Sequence, residues 1–193
     1  ELQYACNENR LLSLKGFGEK TQAEVLKQIE FHQTNKGKFH YASVEEFALN
    51  LVDTLKKKYK TELVSLTGEL RRKCEIIDKL EILIATEHKV DITDITNKIN
   101  IKTEIITCAE NEFYYKLFET TGSEKHLEQV QSLKVQSPKL KEEIHAHSEE
   151  EIYKHYHLQY IEPELREGLH EVELAQKNKI PKLIELKDLK GIL

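Results

Sequence analysis

An α+β fold is predicted for this chain of 193 residues, and three observations predict it. Apolar residues recur at helical spacing before Lys60 and again after Asn111, whereas the runs between them shorten to strand-like segments. Charged residues make up 33% and hydrophobic residues 39%, the balance of a soluble, helix-rich protein. No internal repeat is visible, so the order reads as helices, a small mixed sheet, then helices again.

The elements follow in order. Leu2–Leu14 is predicted helical, as is Thr21–Phe31, where Val25, Leu26 and Ile29 form an apolar stripe. Between them the glycine-rich LKGFGEKT, residues 14–21, is short enough for a hairpin between two helices. Gln33–Lys38 is a linker. Ser43–Lys58 is an amphipathic helix, opened by a Ser43/Glu46 capping box and carrying Phe47, Leu51 and Leu55 on one face. Glu62–Leu66, Leu80–Ala85 and Lys102–Thr107 read as strands, with a short helix at Asp91–Asn97. Helices at Asn111–Thr120 and Glu124–Ser132 flank the turn Thr121-Gly122-Ser123. Ser148–Tyr156 is a helix, QYIEPELRE is extended, and Glu171–Asn178 is a final helix before Pro181.

Composition excludes several classes. No apolar run approaches the ~18 residues needed to cross a membrane, and no secretory pattern opens the chain. A cytoplasmic protein without a membrane partner is expected. Cys6, Cys74 and Cys108 are odd in number and lack CxxC spacing, which fits reduced thiols. The net charge of −5 argues against nucleic-acid binding as a bulk property, but phosphate contacts need only a local basic face. Lys56–Lys60 and Arg71–Lys73 are basic, and Glu142–Glu151 is acidic. Met is absent and the opening ELQYACNENR reads as the interior of a helix, so a fragment, monomeric, is expected.

The hairpin carries chemistry. Gly16 and Gly18 allow positive φ and close approach of backbone N–H groups to a ligand. With the positive end of the following helix, those groups make an anion site suited to a phosphate, and Lys15 and Lys20 add charge. The same glycines equally serve an ordinary tight turn between helices. The segment resembles the helix-hairpin-helix motif, which grips DNA backbone without reading sequence; Thr21 belongs to it.

A wider resemblance covers nearly the whole chain. The hairpin, the capped helix, Gly68-Glu69-Leu70-Arg71-Arg72, the Leu80–Ala85 strand, LFETTGSEKHLEQV and YIEPELREG occur in an order similar to bacterial family X DNA polymerases. The type resembled carries a C-terminal PHP phosphoesterase domain. The resemblance implies fingers at 1–40, a nucleotidyltransferase-like palm at 41–110, a helical thumb at 111–158, and a connector at 159–193 toward a PHP domain. A small N-terminal domain would precede residue 1. The implied partner is gapped or primed duplex DNA held by its backbone, in a setting of DNA repair. Implied cofactors are Mg or Mn, with a monovalent cation at the hairpin.

In that family two metals held by three strand carboxylates activate the primer hydroxyl and neutralise the triphosphate. Carried over, the three positions are Lys79, Glu81 and Glu104. Glu81 and Glu104 remain candidate metal ligands, although the extra methylene of Glu shifts a metal by about 1 Å, enough to matter for in-line transfer. Lys79 cannot bind a cation. Asp78 replaces it only through a bulge, because on a regular strand Asp78 and Glu81 point to opposite faces. The resemblance makes Gly68, Arg71, Arg72, Thr121, Gly122 and Ser123 the nucleotide-phosphate ligands. Glu69 stands where the family has Ser, His126 fits the pattern, and Leu127 stands where an Asn commonly faces the nucleotide.

The expectation is therefore a DNA-binding polymerase core with a degenerate nucleotidyl-transfer site and little or no polymerase activity, dNTP included among the doubtful ligands, positioning DNA for a PHP domain. The alternatives are an active gap-filling polymerase using Asp78, Glu81 and Glu104, and a protein-interaction scaffold without a DNA role. His145/His147 and His155/His157 resemble metal pairs, but on a helix an i, i+2 pair diverges by about 200°. The Lys56–Lys60 run reads as a solvated helix end or as a flank for DNA.

Overall fold

The computed structural model describes residues 1–34, 37–92, 101–136, 146–184 and 186–190, and the predicted helix at Asp91–Asn97 lies largely outside them. The chain forms two compact units, Glu1–Lys38 and Phe39–Leu193.

In the first unit, α1 (Leu2–Asn7) and α2 (Glu19–Thr34) flank a 3₁₀ turn at Arg10–Ser13. The single helix expected over Leu2–Leu14 does not form. Asn9 takes the left-handed conformation (φ 55°), and its side-chain oxygen accepts a 2.8 Å bond from Gln22 Nε2 on α2. Asn tolerates this conformation better than most residues, so the helix ends where periodicity alone would continue it. Cys6 and Leu11 are buried.

The second unit opens with β1 (Phe39–His40) and α3 (Tyr41–Tyr59). Val44, Ala48, Leu51, Val52 and Leu55 are buried along one face of α3, which ends at a left-handed Lys60. The capping box expected at Ser43 is absent. The helix starts two residues earlier, after His40, and the Ser43 hydroxyl instead donates to the His40 carbonyl at 2.6 Å. A box of this kind does form later: Ser148 Oγ accepts from the Glu151 N–H, while Glu151 Oε2 accepts from the His147 N–H.

After α3 come β2 (Val64–Thr67), the one-turn helix α4 (Gly68–Arg71), β3 (Ile76–Ile77), β4 (Leu80–Ala85) and β5 (Thr103–Cys108). The sheet is mixed, in the order β2-β4-β5, antiparallel then parallel. β1 and β3 pair as a separate two-residue ribbon. Alternation along β4 divides its side chains. Leu80, Ile82 and Ile84 join the core beneath α3, whereas Leu83 and Ala85 pack against Phe113 and Leu117 of α5 (Phe113–Thr121). α6 (Glu124–Gln136), α7 (Glu149–His155) and α8 (Glu171–Gln176) complete the unit around Phe118, Val130, Ile152, Tyr153, Ile161 and Val172. Between α7 and α8 the segment expected to be extended contains a 3₁₀ turn at Pro163–Leu165.

Candidate functional site

Strand parity places the two surviving carboxylates together. Glu81 shares the face of Leu83 and Ala85, and Glu104 shares that of Ile106 and Cys108, which pack in the same cluster. The parallel register sets Glu81 directly opposite Glu104, at the N-terminal ends of β4 and β5. Thr67, the last residue of β2, faces Glu81 on the other side. Gly68 follows with φ +61°, and a Cβ there would run into the Glu81 carboxylate. Glycine suits the backbone conformation at this position, and its missing Cβ leaves the space that the Glu81 carboxylate takes.

Lys79 enters the same space. Its ammonium lies 2.7 Å from Glu81 Oε1 and 3.0 Å from Glu104 Oε2. The hydrogen bonds it donates to both carboxylates raise its pKa, so it stays charged at neutral pH. Glu69, in the position where a hydroxyl was expected, accepts the Asp78 N–H through Oε2 at 2.8 Å. Among the described residues no group of three His, Cys, Asp or Glu side chains is placed to hold a metal ion. The donor set at the strand ends does not fit a pair of divalent cations, because an ammonium occupies the space between the two carboxylates that would bind them.

The arginine pair is engaged by carboxylates from far along the chain. Arg71 makes a bidentate pair with Glu149, Nη1 to Oε1 at 3.0 Å and Nη2 to Oε2 at 2.5 Å, and donates to Thr121 Oγ1 at 2.7 Å. Arg72 donates to Glu167 Oε1 at 2.6 Å and to the Thr121 carbonyl at 2.8 Å. Lys73 pairs with Glu164 at 2.7 Å. The three consecutive cations at the end of α4 therefore meet three acidic residues of α7 and the PELRE segment. Glu149 also takes Arg166 Nη1 at 2.5 Å, and Arg166 is fully buried. The Arg166 guanidinium lies over the rings of Tyr153 and Tyr160 and donates Nε to the Ile161 carbonyl. Burial alone would raise the Glu149 carboxyl, but the Arg71 and Arg166 guanidiniums outweigh it and hold it below the usual range. Burial in the same core pushes the Tyr160 phenol up to about 12.

The Thr-Gly-Ser turn is equally built in. Thr121 is fully buried, the Ser123 N–H donates to the Arg166 carbonyl at 3.0 Å, and Ser123 Oγ accepts from the His126 N–H. His126 is buried between Glu171 and Tyr153, at 2.8 and 3.0 Å. Burial lowers its pKa against the pull of Glu171, so the ring is neutral at pH 7. An ionised Glu171 can only accept, which puts the ring proton on Nδ1 and leaves Nε2 to accept from the Tyr153 hydroxyl.

At the hairpin, Gly16 has φ +94° and Gly18 offers its carbonyl to the Gln22 N–H at the start of α2. Neither would meet an atom within 4 Å on gaining a Cβ, so the turn is open above both. Lys15, Lys20 and Thr21 are exposed around it. His145 lies outside the described residues. His155 ends α7 with its ring edge-on to Tyr156, and His157 follows at φ 56°. Cys6, Cys74 and Cys108 are free thiols. Among the described residues no helix is long and apolar enough to cross a membrane.

Sequence reasoning did not find Glu149, Glu167 or Arg166 as partners of the arginine pair. The available signal was an unexplained arginine in an otherwise apolar and acidic stretch, YIEPELRE.

No protein-family model matches the chain. It is 27% identical, over 225 aligned residues, to the DNA polymerase/3'-5' exonuclease PolX of Bacillus subtilis (strain 168). That alignment takes in 100% of this chain and 39% of the relative, so the chain spans well under half the length of the protein it matches. The similarity supports a relation to family X DNA polymerases.

Proposed function

We propose that this chain is a DNA-engaging polymerase core whose nucleotidyl-transfer site has lost its chemistry, and that it holds gapped or primed duplex DNA in the cytoplasm for an attached PHP phosphoesterase domain. The observation that carries the reading is the Lys79 ammonium lodged between Glu81 and Glu104. In-line transfer needs those oxygens free to hold cations beside a triphosphate, and an ammonium there opposes them. Arg71, held by Glu149 and Thr121, supports the reading further, since a guanidinium so paired has little left to offer a phosphate. The exposed hairpin, with its open glycines and two lysines, is the surface by which the core would hold the DNA backbone.

Two measurements on the unaltered chain test this. Fluorescence anisotropy with a gapped duplex should show salt-dependent binding that weakens by about tenfold in a Gly16→Val/Gly18→Val variant, through loss of close backbone approach. Primer extension on the same duplex with Mn²⁺ should give no product, whereas a Lys79→Asp/Glu69→Ser variant should regain detectable incorporation. Robust extension by the unaltered chain would establish the competing reading, a working polymerase using Asp78, Glu81 and Glu104. Absence of DNA binding altogether would leave only a protein-interaction role.

A further inference from the structure

We propose that Glu69 and Lys79 form one device, a resident cation with its positioning residue, which closes the Glu81–Glu104 pair to divalent ions. The inference rests on the degenerate-site reading above and extends it.

Glu81 and Glu104 lie directly opposite each other on parallel strands, with their side chains on one face. Two like charges so placed repel and destabilise the strand pair, and a cation between them relieves that repulsion. A metal supplies that cation from solution; Lys79 supplies it from the chain. It lies two residues before Glu81, so strand alternation aims it at the same face. Its Nζ reaches one oxygen of each carboxylate, at 2.7 and 3.0 Å. Glu81 Oε2 is meanwhile seated in the room left by the missing Cβ of Gly68, so the carboxylate has a built orientation.

Glu69 explains why the lysine arrives there. It sits on α4, immediately after Gly68, and its Oε2 accepts the N–H of Asp78, one residue before Lys79. That bond ties the entry of β4 to α4 and sets where the Lys79 side chain starts. The Cys74 N–H also donates to the Glu69 carbonyl, closing the loop between α4 and β3 from the same residue. A shorter serine at 69 does not have the reach of the glutamate. Two of the residues that depart from the family pattern are thus coupled in space: one supplies the charge and the other holds the strand that carries it. The site keeps a net charge of about −1 after pairing, with the ammonium covering the one oxygen of each carboxylate that faces the other. A divalent ion can enter only by expelling the ammonium.

The test is Mn²⁺ binding by the full chain, read from the electron paramagnetic resonance signal of free Mn²⁺, with circular dichroism confirming the fold of each variant. The unaltered chain should show no stoichiometric site that depends on Glu81 or Glu104. Lys79→Ala should bind one Mn²⁺ per chain at least about tenfold more tightly, the gain being lost in Lys79→Ala/Glu104→Gln. Lys79→Gln, which keeps the bulk, serves as the second variant should the alanine form fold poorly. Glu69→Ser should give an intermediate gain, and adding it to Lys79→Ala should change nothing further.

The proposal is overturned if the unaltered chain binds Mn²⁺ and loses it in Glu81→Gln, or if both folded Lys79 variants fail to bind. A chain that binds no DNA but gains Mn²⁺ on loss of Lys79 would refute the proposed function and leave the lock standing. A chain that binds DNA but shows no such gain would do the reverse.

Discussion

Glu149→Ala should unfold the second unit more readily than any other single change to its charged groups, by about 3–5 kcal/mol, because removing one partner from a buried ionic cluster strands the others. Glu149 is 5% exposed and is the common acceptor for Arg71 and Arg166, the latter with no exposed surface. Without it, Arg166 keeps a carbonyl and two aromatic faces but no counter-charge. Arg71 keeps the Thr121 hydroxyl. Urea unfolding followed by tyrosine fluorescence reports on this unit, since seven of the eight tyrosines lie beyond residue 38. A loss under about 1 kcal/mol, the range of an exposed pair, would show that the cluster is not held as described.

The same cluster sets a pH dependence with a definite sign. Glu149, Glu164 and Glu171 have folded pKa values below their ordinary value of 4.5, each because charged or hydrogen-bonding partners outweigh burial. Groups depressed on folding bind protons more readily when unfolded. Their stabilisation is therefore complete above about pH 4.5 and is lost as pH falls through the folded values. His126, lowered chiefly by burial, adds a loss of the same sign that begins below its ordinary 6.5. Stability measured from pH 7 to pH 3 should decline in two stages, and Glu149→Ala should flatten the more acidic one. A profile for the variant parallel to that of the unaltered chain would contradict the assignment.

Gly168→Ala should cost about 3 kcal/mol, the second-largest expected effect. Gly168 has φ +74°, a conformation that costs an L-residue roughly 1–2 kcal/mol. A Cβ there would also lie 2.8 Å from the His126 backbone nitrogen and 2.9 Å from the Lys125 carbonyl carbon, and backbone cannot rotate away. The loop would have to lift from the start of α6. That movement would strain the Gln129 bond to the Gly168 carbonyl and the Gly168 bond to Glu171. Gly68→Ala is the control. Its φ is also positive, but the obstacle is the flexible end of Glu81, so the cost should stay near the backbone contribution of about 1–2 kcal/mol. Equal losses at the two glycines would mean that contact with α6 does not fix the PELREG loop.

Legibility differed by element for physical reasons. Leu80–Ala85 is legible with its bounds because a short run apolar at every position but Glu81 and buried on both faces has few other solutions, and β5 is legible to within one residue. The ribbon of β1 and β3 was missed, since two residues carry no period. The helix at Leu2–Leu14 was over-extended because nothing local marks Asn9 as a left-handed break; the bond from Gln22 that accompanies it comes from another element. The Ser43/Glu46 pattern satisfied a local rule, but the chain entering from β1, where the Tyr41 N–H donates to the Glu75 carbonyl, is already turned for the helix at residue 41.

By itself the sequence determined the α+β class and the Leu80–Ala85 strand, which depend on period and parity among neighbouring residues along one chain. The approach of Glu81 to Glu104 was implied by the family resemblance, because the register of one strand against another is not written in either strand's own period. What only the tertiary structure decided is the state of the charges. Whether Lys79 points to solvent or into the carboxylate pair, and whether Arg71 faces open space or Glu149, 78 residues away, depends on which distant groups the fold brings within 3 Å. Coulomb attraction is selective only at such distances, and sequence separation does not encode them.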